Sequence, residues 1–497
     1  MPRRSLGRAS LVLLGSTWVL GGLALVASVM IGRVLGAAAV GALSLNLGIA
    51  GLIMAAALPG FARAHLKRLA EGSDAGRCVG TMAVIQGALT VVLAVALLLA
   101  WRLGALDEAP AGATVLALML AAQVASRLAD VFMQVFIARE QVVIHSAIVL
   151  ASRTARVVAT AVVLLVAPSL DAVATTFLLE SLLTGVAAVT VLAAQGVGPR
   201  TPSLASIAGY WRFAHPFLIT TPIALAQDSI DRVLVARWAG LTAAGYYHVA
   251  RGMWEALSGV MAPPGLLLFT RLSSLYAERS PERDRQARTL FFNGLDKLLF
   301  LSTALAIVFW TLAEPVLRIL YGPAFVGAVP TLRVLVLASL AAVVVNPYTF
   351  VLHALDEVAR FVPVNLVRFV LYLVALYVLI QGVIPWLPEG AEGAAVARLL
   401  LILFPAWVWF GWTQELAGIP FYRPALLYVA AFALAVAGGE LIAALVTPAG
   451  RLAVFGPAIA ALVGLGAYMG VLLAMHPRTT INLREIRALV SWADTPR

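Results

Sequence analysis

Long apolar stretches separated by short polar segments run along the whole chain. Stretches such as 11–32 and 79–100 contain no charged residue, and each is long enough to cross about 30 Å of hydrocarbon as an α-helix. They do not divide into the short alternating segments that a membrane β-barrel requires. Because helices satisfy their own backbone hydrogen bonds inside lipid, the pattern predicts an all-α integral membrane protein.

Hydropathy and the positions of glycine, proline and charged residues predict about fourteen transmembrane helices, here called spans 1 to 14. The predicted spans are 10–32, 39–60, 79–101, 112–138, 141–166, 171–194, 213–236, 243–270, 296–312, 328–354, 359–384, 390–414, 422–446 and 452–475. The first span follows a basic segment, as a signal peptide does, but it is too long for one and further spans follow, so we expect it to be retained. The longest segment between spans, 271–295, is predicted to be an amphipathic or solvated basic loop.

Composition supports the membrane prediction and narrows the chemistry. Hydrophobic residues make up 62% of the chain and charged residues 12%, about half the charged share of an average soluble domain. A net charge of +11 would suit nucleic acid, but the basic residues are scattered among short loops and spans, so we expect no nucleic-acid partner. The single cysteine, Cys78, excludes an intramolecular disulfide and a cysteine-rich metal site. We predict neither a metal nor a cofactor.

The distribution of arginine and lysine predicts the orientation. With the N-terminus in the cytoplasm, about 22 basic residues lie on the cytoplasmic side and about five on the other. The few on the other side are Arg33, Arg102, Arg237, Arg318 and Arg451. An even number of spans also returns the C-terminus to the cytoplasm. We therefore predict a multi-pass inner-membrane protein with both termini cytoplasmic.

An internal repeat relates two parts of the chain. Residues 33–41 read RVLGAAAVG and residues 237–245 read RWAGLTAAG, so an Arg-x-x-Gly-x4-Gly pattern recurs 204 residues later. Proline-glycine pairs at 59–60 and 264–265 are predicted to close the spans that follow. Six spans separate the copies, which gives both the same orientation. Two halves of matched topology are typical of parallel-repeat transporters, whose substrate path lies between the halves.

Four segments, in order, resemble a known family. Residues 31–41 resemble the first-loop pattern of the polysaccharide transporter family, the Wzx-like flippases of the multidrug/oligosaccharidyl-lipid/polysaccharide exporter superfamily. Residues 231–250 resemble its segment joining spans 7 and 8, 312–322 its segment after span 9, and 390–397 the start of its span 12. The family's lipid II flippases have an acidic motif after the first span that 33–44 lacks, which disfavours a role in peptidoglycan synthesis.

The resemblance implies a fold and a cargo. The fold would be MATE-like, with two six-helix lobes in parallel pseudo-repeat around a central cavity and two additional C-terminal helices. The N-lobe would be 1–195, the C-lobe 196–416, the added helices 417–476 and a cytoplasmic tail 477–497. The cargo would be an undecaprenyl-diphosphate-linked oligosaccharide, flipped from the cytoplasmic to the periplasmic leaflet of the bacterial inner membrane by alternating access. The product would be O-antigen, capsule or exopolysaccharide, and the partners would be membrane lipids, a polysaccharide polymerase and chain-length proteins.

Charged residues inside the predicted spans indicate where such a cargo would bind. A charge at the bilayer centre costs about 2.5–3.5 kcal/mol on insertion scales, so these residues mark substrate paths by default. Arginine donates a planar fork that matches phosphate oxygens. Arg333 and Arg398 are predicted to lie near periplasmic helix ends and to snorkel to the interface. The remaining arginines are the predicted cavity residues: Arg127, Arg153, Arg156, Arg232, Arg251 and Arg368.

Spacing divides these arginines further. Asp228 and Arg232 are four residues apart, as are Arg251 and Glu255, so an intrahelical pair and a substrate contact both remain open for them. Arg153 and Arg156 have no acidic residue within one turn of their own helix, which makes them the better phosphate candidates. The acids Asp130, Asp228 and Asp231 are candidate ion-coupling sites. Aromatic residues that could stack on sugar rings are Tyr246, Tyr247, Trp254 and Tyr372.

Prolines are predicted to interrupt two of the spans. Pro216 and Pro222 lie in span 7 and Pro347 lies in span 10. A proline inside a helix removes a hydrogen bond and permits a kink, which would serve alternating access or would simply be static.

Two other functions compete with the flippase. A multidrug or cation antiporter of the same superfamily would favour unpaired acids, whereas arginines outnumber acids inside these spans. A membrane-embedded glycosyltransferase or ligase would need a sizeable periplasmic loop or an acidic catalytic site; the predicted periplasmic loops are short, and Asp107-Glu108 is the one early exposed acidic pair. No zinc spacing, phosphate loop or nucleophile elbow is present. We therefore expect no enzyme.

Overall fold

The computed structural model describes residues 4–57, 61–102, 112–215, 217–277, 280–357, 360–446 and 456–475. These residues form α-helices and one 3-10 helix (Pro323–Ala328), with no strand among them. The helices are α1 Arg4–Ala57, α2 Phe61–Ala70, α3 Ala75–Arg102, α4 Ala113–Ala138, α5 Val142–Val166, α6 Leu170–Ala194, α7 Leu204–Ala214, α8 Phe217–Gln227, α9 Ile230–Tyr276, α10 Pro281–Thr311, α11 Ala313–Tyr321, α12 Val329–Ala354, α13 Phe361–Ile380, α14 Gly390–Leu403, α15 Ala406–Ala417, α16 Ala425–Val446 and α17 Gly456–Met475.

Helices occupy the positions of all fourteen predicted spans, which confirms the all-α membrane fold class. Ten stretches of described helix are long and apolar enough to cross a membrane, judged by length and composition. The first of them, 15–55, covers most of spans 1 and 2. Predictions for 59–60, 107–108, Arg451 and the tail 477–497 lie outside the described residues.

Two glycines break long helices in the same way. Gly36 within α1 has φ 82° and ψ 177°, and Gly240 within α9 has φ 89° and ψ 169°. This backbone region is accessible essentially to glycine alone. The two residues are the first glycines of the two repeat copies, so the repeated sequence specifies a repeated backbone turn.

The second glycines of the repeat let the two copies touch. A Cβ on Gly41 would lie 1.7 Å from the carbonyl oxygen of Leu241, and a Cβ on Gly245 would lie 2.0 Å from the carbonyl oxygen of Ala37. The contacts are reciprocal, because Ala37 and Leu241 occupy matching positions in the two copies. Only glycine permits helices to approach this closely, so the pattern is required by packing.

Residues 271–295, predicted as an amphipathic or solvated basic segment between spans, are mostly helical rather than a loop. Helix α9 continues through Pro264 and Gly265 to Tyr276, and α10 already begins at Pro281. Ser280 caps α10, since its side chain accepts a hydrogen bond of 3.2 Å from the backbone N–H of Arg283. A serine cap, a proline at the first helical position and acidic residues in the first turn all favour a helix start here.

The predicted interruptions at Pro222 and Pro347 are wrong. Pro222 lies inside α8 and Pro347 inside α12, and both helices continue past them; Pro216 lies outside the described residues. Within span 7, α8 ends before residues 228–229. There the backbone N–H groups of Asp228 and Ser229 bond to carbonyls three residues earlier, which ends α8 with tight turns.

The chain divides into two compact units. The N-terminal unit comprises 8–249 and 376–394, and the C-terminal unit comprises 4–7, 250–375 and the described residues after 394. The N-terminal unit has a hydrophobic core centred on fully buried side chains of α3 and α4, such as Val79 and Phe136. These units are not the predicted lobes, whose boundary at 195 stays a prediction, because the close approach of the repeat copies joins the start of α9 to α1.

Candidate functional site

Helix α5 presents two different faces. Val143, Val158, Val162 and Leu165 are exposed and recur at helical spacing, as expected of a surface in contact with lipid. Arg153, Arg156 and Thr160 lie on the opposite face of the same helix. The arginines are therefore directed away from the apolar stripe.

Both arginines meet a single carboxylate on the next helix. Nε of Arg153 lies 2.6 Å from Oε1 of Glu180, and Nε of Arg156 lies 3.0 Å from Oε2. The Arg156 side chain is only 6% exposed and Glu180 15%, whereas Arg153 is 30% exposed. Two guanidinium groups against one carboxylate give this site, here called the N-terminal arginine cluster, a net charge of +1.

The surroundings of the N-terminal arginine cluster hold it in place. The Arg156 guanidinium lies 4.3 Å from the centroid of the Phe177 ring, a cation–π contact. One turn away, the buried hydroxyls of Thr160 and Thr176 are 3.1 Å apart. The charged residues lie near the middle of two helices of 25 residues each, which places them about half-way across a bilayer.

The C-terminal unit contains a second arginine cluster. Nε of Arg251 in α9 lies 2.8 Å from Oε1 of Glu255, one turn along. The guanidinium of Arg398 in α14 lies 5.0 Å from the centroid of the Trp254 ring. Arg251 and Arg398 are both buried. The prediction that Arg398 snorkels to an interface is therefore wrong. Arg398 is buried within α14, and its guanidinium contacts the Trp254 ring.

The polar stripe on α4 remains a separate feature. Arg127 and Asp130 are half-buried, and the guanidinium acts electrostatically on the carboxyl, although no N–O distance within 4 Å joins them in the described chain. The side-chain oxygen of Gln134, one turn further, is buried without a hydrogen-bond partner among the described residues. Arg368 is half-buried in α13, within the C-terminal unit.

Both carboxylate oxygens of Asp231 accept hydrogen bonds from the protein itself. It is fully buried, its Oδ2 accepts a 2.7 Å hydrogen bond from the hydroxyl of Tyr247, and its Oδ1 accepts one of 2.8 Å from the backbone N–H of Arg232. The bond to Tyr247 spans the break at Gly240 and stabilises it. Asp228, by contrast, is exposed and Arg232 is half-buried.

Buried tyrosines cannot stack on a sugar. Tyr247 and Tyr372 are both buried, so the prediction that they offer stacking surfaces fails for lack of access. Tyr246 and Trp254 are half-buried, and the Trp254 ring already contacts Arg398.

Arg333 has a partner that sequence spacing could not predict. Its Nη2 lies 3.3 Å from Oε1 of Glu440 in α16, and its guanidinium lies 5.3 Å from the Trp310 ring centroid. The indole N–H of Trp310 donates to the same Glu440 oxygen at 3.2 Å. No group of three or more residues that could hold a metal ion occurs in the described ranges.

A family model for polysaccharide biosynthesis proteins matches residues 6–276. The chain belongs to the polysaccharide biosynthesis protein family. The matched segment includes the N-terminal arginine cluster, both repeat copies and Arg251. A comparison of the chain with curated proteins found no match.

Solved transporters share the fold of this polysaccharide biosynthesis protein. The lipid II flippase MurJ in an inward closed conformation has a TM-score of 0.70 at 11% identity, covering 94% of this chain and 99% of the other. An inward-facing multidrug resistance MATE family transporter of the MOP superfamily has a TM-score of 0.60 at 14% identity, covering 81% and 94%. The eukaryotic MATE transporter AtDTX14 has a TM-score of 0.54 at 12% identity, covering 86% and 98%. At such identities the likeness establishes the MATE-like fold.

Sequence reasoning missed the two glutamates that pair with predicted arginines across helices. Glu180 and Glu440 are isolated acids in long apolar helices, and such residues are functional or structural markers by default. The sequence therefore marked both glutamates as unusual. It did not predict their partners, because Arg153 and Glu180 belong to different helices and no spacing rule links them.

Proposed function

We propose that the protein flips an undecaprenyl-diphosphate-linked oligosaccharide from the cytoplasmic to the periplasmic leaflet of a bacterial inner membrane. The oligosaccharide would be a building unit of O-antigen, capsule or exopolysaccharide, and the cycle would be alternating access without covalent chemistry. Family membership and the MATE-like fold support a lipid-linked cargo. The observation that carries the proposal is the N-terminal arginine cluster, with its unbalanced positive charge about half-way across the membrane.

A diphosphate headgroup fits this electrostatic environment. Charge-assisted hydrogen bonds from guanidinium groups are roughly twice as strong as neutral ones, and the planar fork of arginine matches phosphate oxygens. Arg153 is the accessible member of the N-terminal arginine cluster, while Arg156 lies behind it on Phe177. A passing diphosphate would therefore contact Arg153 first, and the net charge of +1 would offset the cost of bringing phosphate into the membrane.

The first experiment measures translocation in proteoliposomes. Full-length protein is reconstituted with a fluorescent polyprenyl-diphosphate oligosaccharide, and loss of fluorescence to a membrane-impermeant quencher reports the exposed leaflet. We expect the double variant Arg153→Gln/Arg156→Gln to lower the translocation rate at least about tenfold, since it removes the charge-assisted contact of Arg153 with the cargo and the net positive charge of the N-terminal arginine cluster. Glutamine keeps hydrogen-bond donors opposite Glu180.

The matched control is Arg318→Gln. Arg318 is exposed and pairs with Glu314 at 2.6 Å on the same helix, so this variant removes one arginine charge from an exposed pair outside the N-terminal arginine cluster. Wild-type rates in the control and slow rates in the double variant support the proposal. Equal rates in all three proteins would exclude the N-terminal arginine cluster from the transport path.

A cation antiporter of the same superfamily is the alternative. It would need acids free to bind cationic drugs, whereas Glu180, Asp231 and Glu255 are each engaged by protein partners in the structure. Protection of a drug-sensitive host by expression of the protein, together with arginine-independent translocation, would favour the antiporter.

A further inference from the structure

The N-terminal arginine cluster contains its own anion. Glu180 offers one oxygen to each arginine, at 2.6 Å from Nε of Arg153 and 3.0 Å from Nε of Arg156. In the absence of cargo, this carboxylate is therefore the counter-ion of both guanidinium groups. A diphosphate that reaches the cluster meets arginines that are already paired.

The two arginines are not equivalent toward an incoming anion. Arg156 is 6% exposed and packed on the Phe177 ring, whereas Arg153 is 30% exposed. Apart from its ion pair with Glu180, Arg153 has no ion-pair or hydrogen-bond partner in the described part of the chain. The Arg153 side chain is thus accessible to an external acceptor, while that of Arg156 is buried.

We propose that Glu180 competes with the cargo diphosphate for Arg153, and that this exchange sets the affinity of the site. The inference rests on the proposed function and adds a specificity-determining residue to it. When cargo binds, the diphosphate takes over Arg153, while Arg156 retains Glu180 and keeps it in position. When cargo leaves, the carboxylate pairs with Arg153 again.

The exchange would balance binding of the cargo against its release. A carrier must bind its cargo strongly enough to admit it and weakly enough to release it. Two unpaired guanidinium groups at the membrane centre would hold a diphosphate too tightly for release. An internal carboxylate lowers that affinity, because cargo must replace an existing ion pair, and the re-formed pair stabilises the empty site.

Glu180→Gln tests this exchange, because it removes the competing charge and leaves both arginines. Binding of farnesyl diphosphate to the full-length protein in nanodiscs is compared with binding of farnesol, which lacks the charged group. We expect the dissociation constant for farnesyl diphosphate to fall at least about fivefold, within the usual range of coupling between two ligands. Affinity for farnesol should not change, and oligosaccharide translocation should slow because release is slower.

Three controls complete the test. Glu314→Gln removes the same charge from an exposed pair with Arg318 and should leave the affinity unchanged. The combined variant Arg153→Gln/Glu180→Gln should lose the gain in affinity. Glu180→Asp keeps the charge but shortens the side chain, and should shift the affinity in the same direction by less; it replaces Glu180→Gln if that variant does not fold.

The outcomes separate this inference from the proposed function. Tighter diphosphate binding in Glu180→Gln supports the exchange, because a protein that had merely lost structure would bind more weakly. Unchanged or weaker binding, with translocation still dependent on Arg153 and Arg156, overturns the role of Glu180 and leaves the flippase proposal standing. Translocation that does not depend on the arginines overturns both.

Discussion

A single buried histidine shows how burial fixes a protonation state. His65 in α2 is fully buried, with Nε2 3.0 Å from the carbonyl oxygen of Val131 and Nδ1 2.9 Å from the hydroxyl of Tyr210. A carbonyl can only accept, so Nε2 carries the proton and Nδ1 accepts from the tyrosine. Burial lowers the pKa of His65 to about 4, and burial also raises the pKa of the Tyr210 hydroxyl. The ring is therefore neutral at physiological pH.

This neutral ring makes stability depend on pH. The pKa of His65 is lower in the folded protein than in the unfolded chain, so the unfolded state takes up the proton first as the pH falls. Stability is complete above about pH 6.5 and decreases between about pH 6.5 and pH 4, by about 2 kcal/mol at pH 5. Thermal unfolding in detergent should show a lower Tm at pH 5 than at pH 7 in the wild type, and a smaller difference in His65→Gln. The same difference in both proteins would contradict this role.

The arginines of the candidate site were predictable from sequence, but their surroundings were only partly so. A charge in an apolar stretch is visible in any hydropathy pattern, which is how Arg153, Arg156 and Arg251 were found. The bond from Tyr247 to Asp231 joins residues 16 apart across a glycine break, and the Glu180 pairs join two helices. Such contacts depend on tertiary packing, which spacing rules along one helix do not describe.

At the scale of helices, the glycine repeat allows a quantitative test. Gly41 and Gly245 each face a carbonyl oxygen of the other repeat copy at a distance that excludes a Cβ. Gly41→Ala and Gly245→Ala should therefore destabilise the protein to a similar extent, by about 1–3 kcal/mol each. Gly22→Ala in the same α1 helix meets no atom within 4 Å, so it should be neutral or slightly stabilising. Thermal unfolding of the three variants provides the measurement; a neutral Gly41→Ala would contradict the close crossing.

Helix positions followed from the sequence more reliably than helix ends. Hydropathy predicted a helix at fourteen positions where the structure has one, because a membrane-spanning helix must bury an apolar length set by the bilayer. It missed α7 and the first part of α10, since short or charged helices outside the apolar core have no such length constraint. Their start signals were nevertheless present: Ser203 and Ser280 each accept a hydrogen bond from a backbone N–H three residues later, as helix caps do.

At the scale of the whole molecule, the two added helices extend the C-terminal unit. The Asp296 carboxylate in α10 accepts hydrogen bonds from the hydroxyls of Tyr422, at 2.8 Å, and Tyr428, at 2.7 Å. Tyr468 in α17 donates to the carbonyl oxygen of Phe300 at 3.0 Å. Polar contacts as well as packing therefore join α16 and α17 to α10 within the C-terminal unit.

The orientation of the chain in the membrane is the remaining prediction at this scale. About 22 basic residues on the predicted cytoplasmic side against about five on the other side predict cytoplasmic termini. A miscounted span in the middle of the chain would remove this asymmetry. The buried Cys78 is the sole cysteine, so Cys78→Ser supplies a background for single cysteines at exposed positions. In intact cells a membrane-impermeant maleimide should label Glu314→Cys and Trp386→Cys, and should label Ser73→Cys and Glu282→Cys only after permeabilisation. The reverse pattern would invert the topology and, with it, the direction of transport; labelling of all four sites before permeabilisation would contradict the span count.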